Sequence, residues 1–351
     1  MASLQAARLG VQSPVLLAAQ VVAAVTRTRH CCAAKGTPGE PMPLDPHVKA
    51  LLDMLVAAQR PKTWQLTPPE ARLGLLALAK VADIKDVPIG KVEDGTLPGP
   101  GGPLPWRSYT PATATAATLP GLVYFHGGGF VIGSIETHDG MCRLLANASA
   151  CRVVSVDYRL APEHKFPAAI DDGLAAVTWI ATHAGEFGID PGRLAVAGDS
   201  AGANLAAVVA QLAHAAGTPN IALQVMFCPR TDAGADTQSL KDFAEGYLLE
   251  RASMDWFAAH YGAVDVADPR LSPLRAASLA GLPPAHIHTA AFDPLRDEGE
   301  AYAQALRRAG VPVAYTCHAG MIHHFYCLAG AIPTAKAALE QAATAIGQAL
   351  A

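Results

Sequence analysis

The chain has 351 residues, 51% of them hydrophobic and only 16% charged, with a net charge of −4; this length predicts one large domain with insertions, or two domains. Such a composition excludes disorder as the dominant state, and without a basic block there is no electrostatic footprint for nucleic acid. The mean hydropathy of +0.23 comes from dispersed Ala and Val rather than from a run of about 20 apolar residues, so no bilayer-spanning segment is expected.

Residues 1–41 carry Arg8, Arg27, Arg29 and Lys35 but no acid until Glu40. Two readings fit: an export signal, which Gln12, Pro14 and Gln20 interrupt, or an extension without packed structure, with the folded protein opening near Met42. The second is adopted here. The seven cysteines form no CxxC pair and are odd in number, which favours a reducing cytoplasm. Cys31 and Cys32 have no second Cys or His pair at zinc spacing, so no metal is expected.

From Pro46, the apolar residues Val48, Leu51, Leu52, Leu55 and Val56 recur at helical spacing until Arg60-Pro61 stops the pattern. A second helix follows Thr67-Pro68-Pro69-Glu70, where Thr67 can cap and the prolines suit a first turn. The glycines and prolines between Gly95 and Pro105 predict a turn or hairpin. Short apolar runs then predict strands at 122–125, 153–156, 194–197, 223–227, 286–291 and 313–316. Helical segments at 166–184, 201–215 and 298–309 separate several of them, which argues for a largely parallel sheet covered on both faces. The charged, aromatic-bearing stretch 231–279 breaks this rhythm and reads as an insertion after a strand.

Gly198-Asp199-Ser200-Ala201-Gly202 fits the G-x-S-x-G elbow and lies between a predicted strand and a predicted helix, where the two glycines let backbones meet around a strained serine. An ordinary βα turn would have the same small residues. His126-Gly127-Gly128-Gly129 follows the first core strand, and its free N–H groups can receive an oxyanion. A flexible glycine turn or a phosphate loop is the alternative, although neither a Walker pattern nor a dinucleotide fingerprint is present. A serine nucleophile needs a base and an orienting acid; Asp293 follows one late strand, and His323 lies in the loop after the next. Asp297 and Glu298 are expected to open a helix, complementing its dipole, and His214, His286 and His288 to be structural or on the surface.

With these residues the chain resembles the bacterial hormone-sensitive lipase family of α/β-hydrolases. Further anchors are Asp157-Tyr-Arg-Leu-Ala-Pro-Glu-His, Ser272-Pro-Leu274, Gly281-Leu-Pro-Pro284, Asp293-Pro-Leu-Arg-Asp-Glu-Gly299 and Gly320-Met-Ile-His323. The resemblance implies an α/β-hydrolase fold with a mostly parallel sheet flanked by helices and a helical cap. Residues 42–90 and 231–279 would form the cap, and 91–230 with 280–351 the catalytic core. It implies Ser200 as nucleophile, His323 as base, Asp293 as its orienter and Gly128, Gly129 and Ala201 as oxyanion donors. The implied partner is a small-molecule ester hydrolysed without cofactor. An amidase or deacetylase would share every motif, a ligand receptor would lack a triad residue, and a homo-oligomer is left open. Two positions depart from the family pattern: Ala203 and His324 stand where glycine is common, and His324 is expected to line the entrance or pack under the cap.

Overall fold

The computed structural model describes residues 43–351. The extension predicted over 1–41, with Cys31 and Cys32, lies outside the described residues. Helices α1 (Pro46–Ala57) and α2 (Pro68–Ala82) come first. Asp45 caps α1 by accepting the His47 N–H at 2.8 Å. At α2, Glu70 reaches back to the Thr67 N–H at 2.9 Å, one arm of a capping box, with proline in the first turn.

The glycine- and proline-rich stretch is a hairpin of two nine-residue strands, β1 (Lys91–Gly99) and β2 (Gly102–Thr110). They open an eight-stranded sheet with β3 (Leu119–Phe125), β4 (Arg152–Val156), β5 (Ile189–Asp199), β6 (Leu223–Phe227), β7 (Ala285–Phe292) and β8 (Val313–Ile322). The order is β1-β2-β4-β3-β5-β6-β7-β8; the β1/β2 and β2/β4 pairs are antiparallel and all others parallel.

Strand alternation sends successive side chains to opposite faces. Leu122 and Tyr124 of β3 join Ala195 and Ala197 of β5 on one face, whereas Val123 and Phe125 join Leu194 and Val196 on the other. The first face is covered by α3 (Asp139–Ser149) and α9 (Pro333–Ala349), through Leu144, Leu145, Leu339 and Ile346, with Val48 and Leu51 of α1 in the same core. On the second lie α4 (Ala168–Thr182) and α5 (Ala201–Ala216), through Ile170, Val177, Leu205 and Val209. Helix α8 (Arg296–Arg308) adds Tyr302 and Leu306 against Met226 and Ile287. This arrangement carries every strand's C-terminal end in the parallel part to one edge, where Phe125 pairs with Gly198 and Asp199 with Phe227.

The stretch 231–279 leaves after β6 and carries α6 (Gln238–Asp242) and α7 (Arg251–Tyr261). Its two ends are tied together. Leu274 N donates to Thr231 O at 3.0 Å, Ala233 N donates to Ser272 Oγ at 2.8 Å, and Asn204 Nδ2 donates to Arg230 O and Leu271 O, both at 2.8 Å. Thus Ser272-Pro-Leu274 closes a neck. No helix among the described residues is long and apolar enough to cross a membrane.

Candidate active site

The elbow is a steric construction. Ser200 has φ 54° and ψ −114°, a strained conformation for a residue with a side chain, between Asp199 at the end of β5 and Ala201 at the start of α5. The turn closes only because Gly198 and Gly202 lack Cβ atoms: one on Gly202 would strike the Phe125 carbonyl, and one on Gly198 would strike Gly202 itself. Ser200 N donates to Phe227 O at 2.8 Å, fixing the turn to the next strand.

The three residues predicted from separate loops meet above the sheet edge. His323 Nε2 lies 2.9 Å from Ser200 Oγ, and His323 Nδ1 lies 2.8 Å from Asp293 Oδ2. Asp293 is fully buried and accepts the Leu295 N–H at 2.8 Å through its other oxygen, which leaves its geometry little freedom. Strand β8 continues to Ile322, beyond the predicted end at Thr316, so His323 follows the strand directly. Burial alone would lower the His323 pKa; the Asp293 carboxylate outweighs it and holds the imidazole above its ordinary value.

Gly128 and Gly129 adopt φ of 122° and 60° after β3, and their N–H groups, like that of Ala201, have no acceptor among the described residues. Two anchors hold this loop. Asp199 Oδ1 accepts the Gly127 N–H at 2.7 Å from beneath. Arg72 of α2 donates through Nε to Val131 O and through Nη2 to Ala161 O, both at 2.9 Å. From above, Phe257 of α7 packs directly on Gly129, where no Cβ would fit, and Tyr261 stacks on Phe130 with ring centroids 4.2 Å apart. Lys62 and Glu250 join the N-terminal segment to the insertion at 2.8 Å.

Sequence reasoning passed over a buried polar network under the elbow. Asp199 Oδ1 accepts Tyr124 OH at 2.7 Å and lies 3.1 Å from His138 Nε2, while Asp199 Oδ2 is 3.6 Å from His324 Nδ1. Burial opposes the Asp199 charge, yet the two imidazoles hold its pKa well below the usual carboxylate range. His126 is pushed down to about 3 by burial and by His138, so it is neutral. The expectation that His324 lines the entrance or packs under the cap is corrected: with φ 65° its ring turns inward onto Asp199. A void of about 10 Å³ lies among Asp199, Ser200, Cys228, His324 and Cys327. A wider open groove of about 540 Å³, walled by Pro98, Leu174 and Trp179, is remote from these residues. Potential metal ligands gather twice, as His138, Asp199, His324 and Cys327, and as Cys228, Asp293 and His323.

Asp297 and Glu298 open α8 as expected, but Glu298 is 2% exposed and accepts the N–H groups of Thr231 and Asp232 at 3.2 and 2.8 Å, at the neck of the insertion. Burial pushes its pKa up to about 7 against the pull of Arg230. Folding therefore retains a proton that the unfolded chain releases near pH 4.5, so this group's contribution to stability declines as pH rises from about 4.5 to 7. Glu298→Gln should remove that slope. Urea unfolding of both proteins at steps across the window would show their stabilities moving in the variant's favour as pH rises.

The chain matches the α/β-hydrolase fold family over residues 122–327. A carboxylic ester hydrolase of Mycobacterium tuberculosis, LipN, is 50% identical over 242 residues, 67% of this chain and 64% of that relative. The chain belongs to the hormone-sensitive lipase family of α/β-hydrolases. The carboxylesterase NlhH of the same organism is 39% identical over 88% of this chain and 96% of its own. Among solved structures, an ester hydrolase from the metagenome of Lake Arreo superposes with a TM-score of 0.85 at 45% identity, covering 87% of this chain and 98% of that one.

Proposed function

We propose that this hormone-sensitive lipase family member is a serine carboxylesterase that hydrolyses short-to-medium acyl esters through an acyl-enzyme. The observation that carries the reading is the unbroken hydrogen-bond chain from Ser200 Oγ through His323 to Asp293. Ser200 attacks the ester carbonyl as His323 Nε2 takes its proton, and Asp293 holds the imidazole in the required tautomer and stabilises the imidazolium. The oxyanion is received by the N–H groups of Gly128, Gly129 and Ala201, an assignment supported by their having no acceptor among the described residues. His323 then protonates the departing alkoxide, and a water activated by the same imidazole releases the acid. No cofactor enters. The five described cysteines are free thiols, in keeping with a reducing cytoplasm.

The cap is proposed to comprise residues 42–90 and 231–279, with Phe257 as its contact on the oxyanion loop. Aromatic packing of Phe243 and Tyr247 against Phe292 closes the side next to Asp293. A closed roof favours short acyl chains. Across p-nitrophenyl esters from acetate to palmitate, kcat/KM should peak at roughly C2 to C8. Faster turnover of palmitate, or of emulsified trioctanoin over butyrate, would overturn the short-chain assignment; faster turnover of a matched amide than of its ester would overturn the esterase assignment.

The base must be neutral to accept the serine proton. Because Asp293 raises the His323 pKa above its ordinary 6.5, activity is lost as pH falls through that raised value. A pH profile of kcat/KM should accordingly show its acid limb above pH 6.5. A limb well below that would mean that burial outweighs Asp293.

A further inference from the structure

We infer that His138, Asp199, His324 and Cys327 form a binding site for one thiophilic divalent cation, Zn²⁺ in particular, whose occupancy inhibits the enzyme from beneath the nucleophile elbow. Their ligand atoms all lie within 4.8 Å of one another. Asp199 faces an imidazole with each oxygen, His138 Nε2 at 3.1 Å from Oδ1 and His324 Nδ1 at 3.6 Å from Oδ2. Imidazole, carboxylate and thiolate together suit Zn²⁺ better than a hard, oxygen-seeking cation.

Two further observations point to a ligand. Asp199 Oδ2 is buried without a hydrogen-bond partner. Beside it, a void of about 10 Å³, the scale of a single water or ion, is lined by Asp199, His324 and Cys327 together with Ser200 and His323, and opens on the side of the cluster away from His138. The outer face of the cluster is braced: His138 Nδ1 is 2.8 Å from Thr137 Oγ1, and Tyr124 OH holds Asp199 at 2.7 Å. Bracing of this kind orients ligands in metal sites. His324 also keeps a left-handed backbone, φ 65°, where glycine would be unstrained.

Charge is conserved on binding. With His138 protonated, its charge cancels that of Asp199. With Zn²⁺ bound, the carboxylate, the Cys327 thiolate and two neutral imidazoles again sum to zero with the ion. The Cys327 thiol, and the His138 ring where it carries a second proton, lose that proton as the Zn–S and Zn–N bonds form. Asp199 and His324 adjoin Ser200 and His323 in the chain, and Asp199 holds the Gly127 N–H of the oxyanion loop. Ligation therefore displaces catalytic groups from beneath the elbow.

The test titrates metal-free full-length protein with ZnCl₂ by calorimetry and follows hydrolysis of p-nitrophenyl butyrate in parallel. One Zn²⁺ per chain is expected, with kcat falling and KM unchanged. His324→Gly, which suits the backbone at that position, and Cys327→Ser should each weaken Zn²⁺ binding by about tenfold or more. Co²⁺ should give a thiolate charge-transfer band that Cys327→Ser abolishes. Absence of stoichiometric binding, binding insensitive to both substitutions, or binding lost in Cys228→Ser, which would put the cation at Cys228, Asp293 and His323, would overturn the assignment. Calorimetry and the Co²⁺ spectrum read binding without turnover, so their result stands apart from the esterase assignment.

Discussion

Ser200→Ala should lower kcat on p-nitrophenyl butyrate by about 10⁶, the loss found when a triad serine is removed from a site whose members act as a unit. Its size follows from what remains. The N–H groups of Gly128, Gly129 and Ala201 can still polarise the carbonyl, which leaves residual catalysis of about 10³ to 10⁴ over water, but no covalent route. The substitution preserves the elbow, since Ala carries the same Cβ as Ser in the φ 54° conformation and Gly198 and Gly202 still pass each other. A fluorophosphonate probe should label the parent at Ser200 alone and leave the variant unlabelled. Labelling elsewhere with activity retained would remove Ser200 from the mechanism.

The second large effect separates two adjacent imidazoles. His323→Ala should reduce turnover nearly to the level of Ser200→Ala, because among the described residues His323 alone contacts both Ser200 Oγ and Asp293 Oδ2, at 2.9 and 2.8 Å. In contrast, His324→Gly should keep at least about a tenth of the activity, since His324 meets Asp199 rather than the nucleophile, and glycine relieves its left-handed backbone. Stopped-flow measurement of the acylation burst in both variants distinguishes loss of the base from slower deacylation. Were the order of damage reversed, His324 would be the base.

Most of what brings the site together could be read from local pattern. The strands β3 to β8 are short runs of apolar residues, and the elbow, the glycine loop and the two late-strand residues each sit next to one of them. The misses have physical causes. Helix α9 is built largely from Ala, so its buried positions Ala335, Ala342 and Ala343 do not stand out against an Ala-rich background. The hairpin expected between Gly95 and Pro105 is present, but its first strand starts earlier, at Lys91, because Lys-Val-Glu-Asp lies at the sheet edge, where one face meets water and apolar content is low. The network under the elbow was hidden for a different reason: His138 and Asp199 are 61 positions apart, and nothing around His138 marks it as paired. Asp199 itself was in view between Gly198 and Ser200, and a carboxylate inside an otherwise small-residue turn was the available signal.

The neck of the insertion has an evolutionary consequence. Asn204 and Ser272 bring the beginning and end of 231–279 together while Glu298 holds the beginning, so the sheet below senses only a closed junction. Doubling the length of a flexible loop anchored in this way costs only about 0.6 kcal/mol in closure entropy. Descendants of this chain can therefore exchange or lengthen the insertion piecemeal, which on the proposed function would alter acyl preference, while the sheet below is inherited intact.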